Sequence, residues 1–176
     1  MKNITLENIL TTNGKRPKYL LKESGATCQN TKLLENICAW IDRATIFFKD
    51  FQFKDYFIVS SGLRREDEGT KAGAPHYTGE AVDLSFIHGT KEMWDECDKY
   101  INTRIKNGFA HECGLFFEAT VCTIQSKKKW IHSQITPQST SRKKGRQYYR
   151  WVSGNVVDFG FFCGTSSCPH CSPAKR

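Results

Sequence analysis

His76 and Asp83 stand seven residues apart in the run from Pro75 to Phe86, with Gly79 and Ala81 between them. An imidazole nitrogen and a carboxylate oxygen are both good donors to zinc. A zinc ion that does chemistry keeps three protein ligands and leaves its fourth position to water, so the pair asks for a third ligand. His132 answers best among the five histidines. It lies in the strand-like stretch Lys129 to Gln134, where alternation sends Ile131 and Ile135 to one face and His132 to the other, cleftward. His88 precedes a glycine and reads as a turn residue, His111 sits beside Glu112 in an expected loop, and His170 belongs to a cysteine-rich tail.

The elements that would position these donors are readable in outline. From Leu33 the residues Leu34, Ile37, Cys38, Ile41, Thr45 and Phe48 recur at three- and four-residue steps, which predicts an amphipathic helix. Tyr56 to Ser60 is short, β-branched and aromatic, and predicts a strand ending at Ser61-Gly62. Residues 66 to 75, with Gly69, Gly73 and Pro75 among charges, predict a mobile loop. In Ala81 to Phe86 a strand would turn Ala81, Asp83 and Ser85 one way and Val82, Leu84 and Phe86 the other. A helix is expected over 90 to 107, with Met93, Trp94, Cys97, Ile101 and Ile105 inward and Asn107-Gly108 as its stop. Leu115 to Ile124 and Trp130 to Ile135 predict two further strands joined by a turn at Gln125 to Lys129. The order is that of an α+β domain with a mainly antiparallel sheet flanked by helices. Residues 1–30 are expected to form an irregular arm packed on a domain spanning 31–160, followed by the tail at 161–176.

Composition narrows the class. The chain has 176 residues, with 39% hydrophobic and 25% charged, which suits one soluble domain with its own core. No apolar run approaches the roughly 20 residues that cross a bilayer. The start lacks a secretory signal pattern, predicting synthesis in a cytoplasm. A formal charge of +8 favours an anionic partner; Lys127 to Lys129 and Arg142 to Arg146 are the densest basic runs and read first as solvated surface. Of eight cysteines, Cys28, Cys38, Cys97, Cys113 and Cys122 are scattered and read as buried thiols. Cys163, Cys168, His170 and Cys171 fall within nine residues, and could hold a second metal, form disulfides or remain free thiols.

Four pieces in order resemble the zinc D-alanyl-D-alanine carboxypeptidase family, whose relatives include bacteriophage cell-wall endopeptidases and the zinc-bearing signalling domain of hedgehog. They are Ser61-Gly62-Leu63-Arg64, then His76-x-x-Gly79-x-Ala81-x-Asp83, then Leu115 to Glu118, and finally Trp130-Ile131-His132. The resemblance spans roughly residues 30 to 137. It implies a small single-domain zinc peptidase in which His76, Asp83 and His132 hold Zn2+ and Arg64 steadies the substrate carbonyl as it becomes an oxyanion. Many members carry an acidic residue three positions before the last histidine. Here that position is Lys129, which cannot serve as a base without a pKa several units lower, so the resemblance to members with a strand glutamate moves the catalytic base to Glu118.

The expected function is hydrolysis of peptidoglycan stem peptides, as carboxypeptidase or endopeptidase, with acidic wall polymers as a further partner and release as a phage or virus lysin or virion-associated protein. The alternative is a zinc-stabilised binding module of the same fold without hydrolysis. Nucleic-acid binding through the basic runs with Tyr148, Tyr149 and Trp151 is a third class, and no recognised motif supports it.

Overall fold

The computed structural model describes residues 1–11, 31–64, 74–120, 123–127, 129–136, 148–152 and 155–160. Within them a four-stranded antiparallel sheet packs against helices, an α+β domain. The sheet is built from β1 (Phe57–Ser61), β2 (Ala81–Phe86), β3 (Phe116–Phe117) and β4 (Ile131–Gln134), in the order β1-β2-β4-β3. A separate antiparallel pair is formed by β5 (Tyr148–Val152) and β6 (Asn155–Gly160). The helices are α1 (Leu6–Leu10), α2 (Thr31–Phe47), α3 (Ala74–Tyr77), α4 (Lys91–Lys106) and α5 (Phe109–Glu112).

Alternation divides the sheet as the sequence implies. Val82, Leu84, Phe86, Ile131 and Phe117 enter the hydrophobic core, while Asp83 and His132 face the other way. Helices α2 and α4 cover the core face. Phe47 of α2 packs on Phe117 with ring centres 4.8 Å apart, and Trp94 of α4 meets Phe86 at 4.7 Å. Edge-on and tilted ring pairs of this kind add to what area burial contributes. Trp40 of α2 is fully buried, and its indole N–H donates to the carbonyl and the hydroxyl of Ser133, locking the helix to β4 next to His132. The predicted helix over 90–107 is α4. Thr90 caps its first turn by accepting from Met93 N, and Asn107 ends it before Gly108 at φ 85°.

Several expectations change. The buried face of α2 is Leu33, Asn36, Ile37, Trp40, Ala44 and Phe47, whereas Cys38 and Thr45 are exposed and Leu34 and Ile41 lie at its edge. Two apolar stripes overlap on this helix, and the bulk of Trp40 with its bond to Ser133 selects one. Cys38 is therefore an exposed thiol, Cys97 is buried and Cys113 is intermediate. The strand expected over 115 to 124 is only Phe116–Phe117, because the chain folds back at Thr120, whose carbonyl accepts from Thr123 N and Gln125 N. His111 lies in α5 and not in a loop. The expected irregular arm contains α1, capped by Thr5 and anchored by buried Ile9. Residues 66–73 of the expected loop, the basic run at 142–146, Cys28, Cys122 and the tail with Cys163, Cys168, His170 and Cys171 lie outside the described residues.

Gly62 is where α1 meets the sheet. Leu63 N donates to the Ile9 carbonyl at 2.9 Å, and a Cβ built on Gly62 would stand 2.2 Å from that same oxygen. Only glycine permits this approach. Gly62→Ala should lower stability by about 2–3 kcal/mol, read from the urea midpoint; an unchanged midpoint would show that α1 is not held there.

Candidate metal centre

The site is built on one row of the sheet. Ser61 of β1 pairs with Asp83 of β2, and Asp83 pairs with His132 of β4. The ladder continues past β3, because Glu118 N donates to the His132 carbonyl at 3.1 Å. Residues directly opposite one another in an antiparallel pair share a face. Ser61, Asp83, His132 and Glu118 thus form a polar line across all four strands. A β-bulge between Val59 and Ser61 sets the first member. The extra residue, Ser60, bonds the Asp83 carbonyl, and Ser61 is turned to stand opposite Asp83.

His76 arrives from α3, above the row. Glu80 N donates to the Pro75 carbonyl at 2.8 Å, closing the turn through Gly79 at φ 73°. A Cβ on Gly79 would lie 2.8 Å from the Leu33 carbonyl of α2, so backbone conformation and space both demand glycine. Asn36 of α2 donates to the Thr78 carbonyl at 2.9 Å and ties the turn to the helix. The His-x-x-Gly spacing has a mechanical reason: the glycine lets the chain reverse into β2 and bring His76 back over Asp83.

The donor atoms converge. Asp83 Oδ1 lies 2.6 Å from His132 Nδ1 and 3.5 Å from His76 Nε2, and the three ligand atoms all lie within 4.8 Å of one another. His76, Asp83 and His132 are 2%, 6% and 3% exposed. This buried group could hold a metal ion. Asp83 Oδ2 is occupied separately by the Arg64 guanidinium at 2.9 Å, and Arg64 Nε donates to Ser61 Oγ at 2.7 Å. One carboxylate oxygen therefore faces the imidazoles while the other is held by arginine.

The outer imidazole nitrogens settle which atoms carry lone pairs. His76 Nδ1 is 2.9 Å from the Gly62 carbonyl, which can only accept. Nδ1 is then the N–H, and Nε2 turns its lone pair toward Asp83. His132 Nε2 is 3.2 Å from Gln134 Oε1, the end of the amide left to accept once Nε2 of Gln134 donates to the Thr136 carbonyl; Nδ1, 2.6 Å from Asp83 Oδ1, presents its lone pair when the proton shared there is removed. Metal-binding histidines characteristically donate their second N–H in this way.

Charge follows the geometry. Burial pushes the His76 imidazole down, with Asp83 only partly compensating, so it stays neutral and able to ligate. Burial also opposes charge on His132, but its hydrogen bond to Asp83 and the charges of Asp83 and Glu118 outweigh this and raise it above the ordinary value. Burial would raise the Asp83 carboxyl, yet its bonds to His132 and His76 hold it well below the usual carboxylate range. Without a metal, a proton on His132 supplies the positive charge that the cluster requires.

The remaining candidates separate cleanly. Glu118 is 3% exposed and stands opposite His132. Glu80 is engaged by Thr78 and Thr136 hydroxyls, away from the row. Lys129 is exposed, its ammonium on the Ile124 carbonyl. His88 occupies a turn at φ 52°. Two contributors were not anticipated. Gln134 shares the His132 face by strand alternation and was open to discovery in the sequence, whereas nothing in the sequence marks the Gly62 carbonyl. No family model, curated protein or solved structure matches this chain.

A bound metal must displace the His132 proton. Because that proton is held above the ordinary histidine range, metal affinity should weaken as pH falls, by about tenfold per unit below the raised value. Zinc titration calorimetry in two buffers of different ionisation heat, at a pH below the raised value, should show about one proton released per metal. Affinity that is flat from mildly acidic to neutral pH would contradict the displacement. Asp83→Asn should weaken zinc binding at this site by at least about 100-fold, measured by competition with a chromophoric chelator.

Proposed function

We propose that the chain is a zinc-dependent peptidase acting on peptidoglycan stem peptides. The observation that carries the reading is the convergence of His76, Asp83 and His132 in one buried cluster with Glu118 opposite His132. Two imidazoles and one carboxylate suit zinc among common divalent ions. The order of Arg64, the His76 to Asp83 motif, Glu118 and His132 along the chain supports the resemblance to cell-wall peptidases, and the charge of +8 suits an acidic wall.

Zinc held there would polarise a peptide carbonyl and make water more acidic. Glu118, as a carboxylate, would take a proton from the attacking water. Water adds to the carbonyl carbon, the C–N bond breaks, and the proton passes from Glu118 to the departing amine. Lys129 offers no competing base, since it is exposed and bonded to a main-chain carbonyl. Arg64 is the most open member of the cluster, with 31% of its side chain exposed. Its permanent charge suits it to steady the oxyanion that forms on the carbonyl, while its bond to Oδ2 restrains Asp83.

One observation favours a second reading. His76, Asp83, His132 and Glu118 are each no more than 6% exposed, which also suits a metal that stabilises a binding module without hydrolysis. No helix among the described residues is long and apolar enough to cross a membrane, so neither reading calls on a spanning helix.

Digestion of purified peptidoglycan by the zinc-loaded chain, followed by mass spectrometry, should yield new amine and carboxyl ends within stem peptides. Glu118→Gln should retain zinc and lose about 10²- to 10⁴-fold in rate. Absence of cleavage by the wild-type chain, together with a large fall in melting temperature on chelation, would replace the peptidase with the binding module.

A further inference from the structure

We infer that Gln134 is a positioning residue for the metal centre, selecting Nδ1 of His132 as its metal-binding nitrogen. The inference rests on the metal-centre reading and not on the reaction assigned to it. Gln134 is 1% exposed and lies two residues from His132 on the same face of β4. Its amide makes two bonds with opposite demands. Nε2 donates to the Thr136 carbonyl at 2.6 Å, and Oε1 faces His132 Nε2 at 3.2 Å.

Those two bonds fix the amide. Rotating it by half a turn would press two oxygens together at Thr136, whose carbonyl can only accept. The Thr136 carbonyl therefore sets the direction of Gln134, and Gln134 in turn sets the tautomer of His132. With Nε2 carrying the hydrogen, the lone pair sits on Nδ1, the atom 2.6 Å from Asp83 Oδ1. An imidazole free in solution favours neither edge strongly enough to guarantee this choice. His76 is treated in the complementary sense: the Gly62 carbonyl fixes its Nδ1 as the N–H, leaving Nε2 to face Asp83. The two histidines thus present different ring edges, each chosen by a buried acceptor behind it. Partners of this type raise ligand basicity as well as orienting the ring.

The test uses the full chain labelled with 15N in its histidine rings, with zinc as the probe. Long-range 1H–15N spectra of the zinc-loaded wild type should show His132 protonated at Nε2 and metallated at Nδ1. Gln134→Leu, similar in size but without an acceptor, should weaken zinc binding by about 10- to 100-fold and leave part of the zinc-loaded His132 metallated at Nε2. Gln134→Glu keeps an acceptor behind Nε2 but sets an oxygen against the Thr136 carbonyl, so it should preserve the tautomer while lowering stability. A purely packing role for Gln134 would change stability in the variants without moving the ring signature. Zinc bound through Nε2 of His132 in the wild type, or a Gln134→Leu chain with unchanged tautomer and affinity, would overturn the inference while leaving the metal centre intact. If Gln134→Leu fails to fold, the wild-type and Gln134→Glu spectra still decide the ligating nitrogen. A wild-type chain that takes up no zinc at this cluster removes the centre itself, and the role of Gln134 with it.

Discussion

The carboxylate of Asp83 sits 2.6 Å from His132 Nδ1 and 3.5 Å from His76 Nε2, with all three side chains almost wholly out of water. Both outer ring nitrogens are tied to acceptors, so in their neutral forms the two imidazoles aim lone pairs at an anion. Such an arrangement is repulsive unless a positive charge lies within it, and a low-dielectric interior magnifies the penalty. A proton on His132 meets the need in part; a divalent cation meets it for all three donors. The rest of the site reads as support for this constraint. Arg64 neutralises the far oxygen of Asp83, and Gly62 and Gln134 hold the rings at the correct edge.

The scaffold makes such a cluster rigid. Asp83 lies on an interior strand with β1 and β4 on either side, where backbone bonds on both sides resist displacement. Its row is polar from edge to edge, while the rows immediately beside it on the other face are filled by Val82, Leu84, Ile131 and Phe117 in the core. A one-residue slip of β4 against β2 would bury Asp83 without His132 and expose core residues at once, so the packing and the site enforce one register. Trp40, bonded to Ser133 between His132 and Gln134, joins that register to α2.

Much of this was readable before any coordinates, and the reasons differ by residue. Asp83 and His132 announced themselves because period-two alternation is strict, so one polar residue among apolar neighbours has only one face available. His76 was legible through Gly79, whose positive φ the motif spacing anticipates without stating. The inward face of α2 was not, because two apolar stripes compete there and only the contact of Trp40 with Ser133, 93 positions later, decides. The strand after Leu115 is shorter than its composition implies, because Thr and Val suit strands anywhere whereas the turn at Thr120 depends on main-chain bonds that no side-chain pattern records. Gln134 obeys the same alternation as His132, but an uncharged amide on a strand face does not by itself mark a metal site. The zinc peptidase resemblance and the cysteine tail rest on sequence motifs.

His76, Asp83 and His132 together could ligate one metal ion. Crystals of the chain soaked in zinc, measured on either side of the zinc absorption edge, test it most directly. An anomalous peak bounded by His76 Nε2, Asp83 Oδ1 and His132 Nδ1 is the expected result, with Arg64 still on Oδ2. A cluster that keeps its direct bond between His132 and Asp83 while zinc binds only elsewhere would contradict the account.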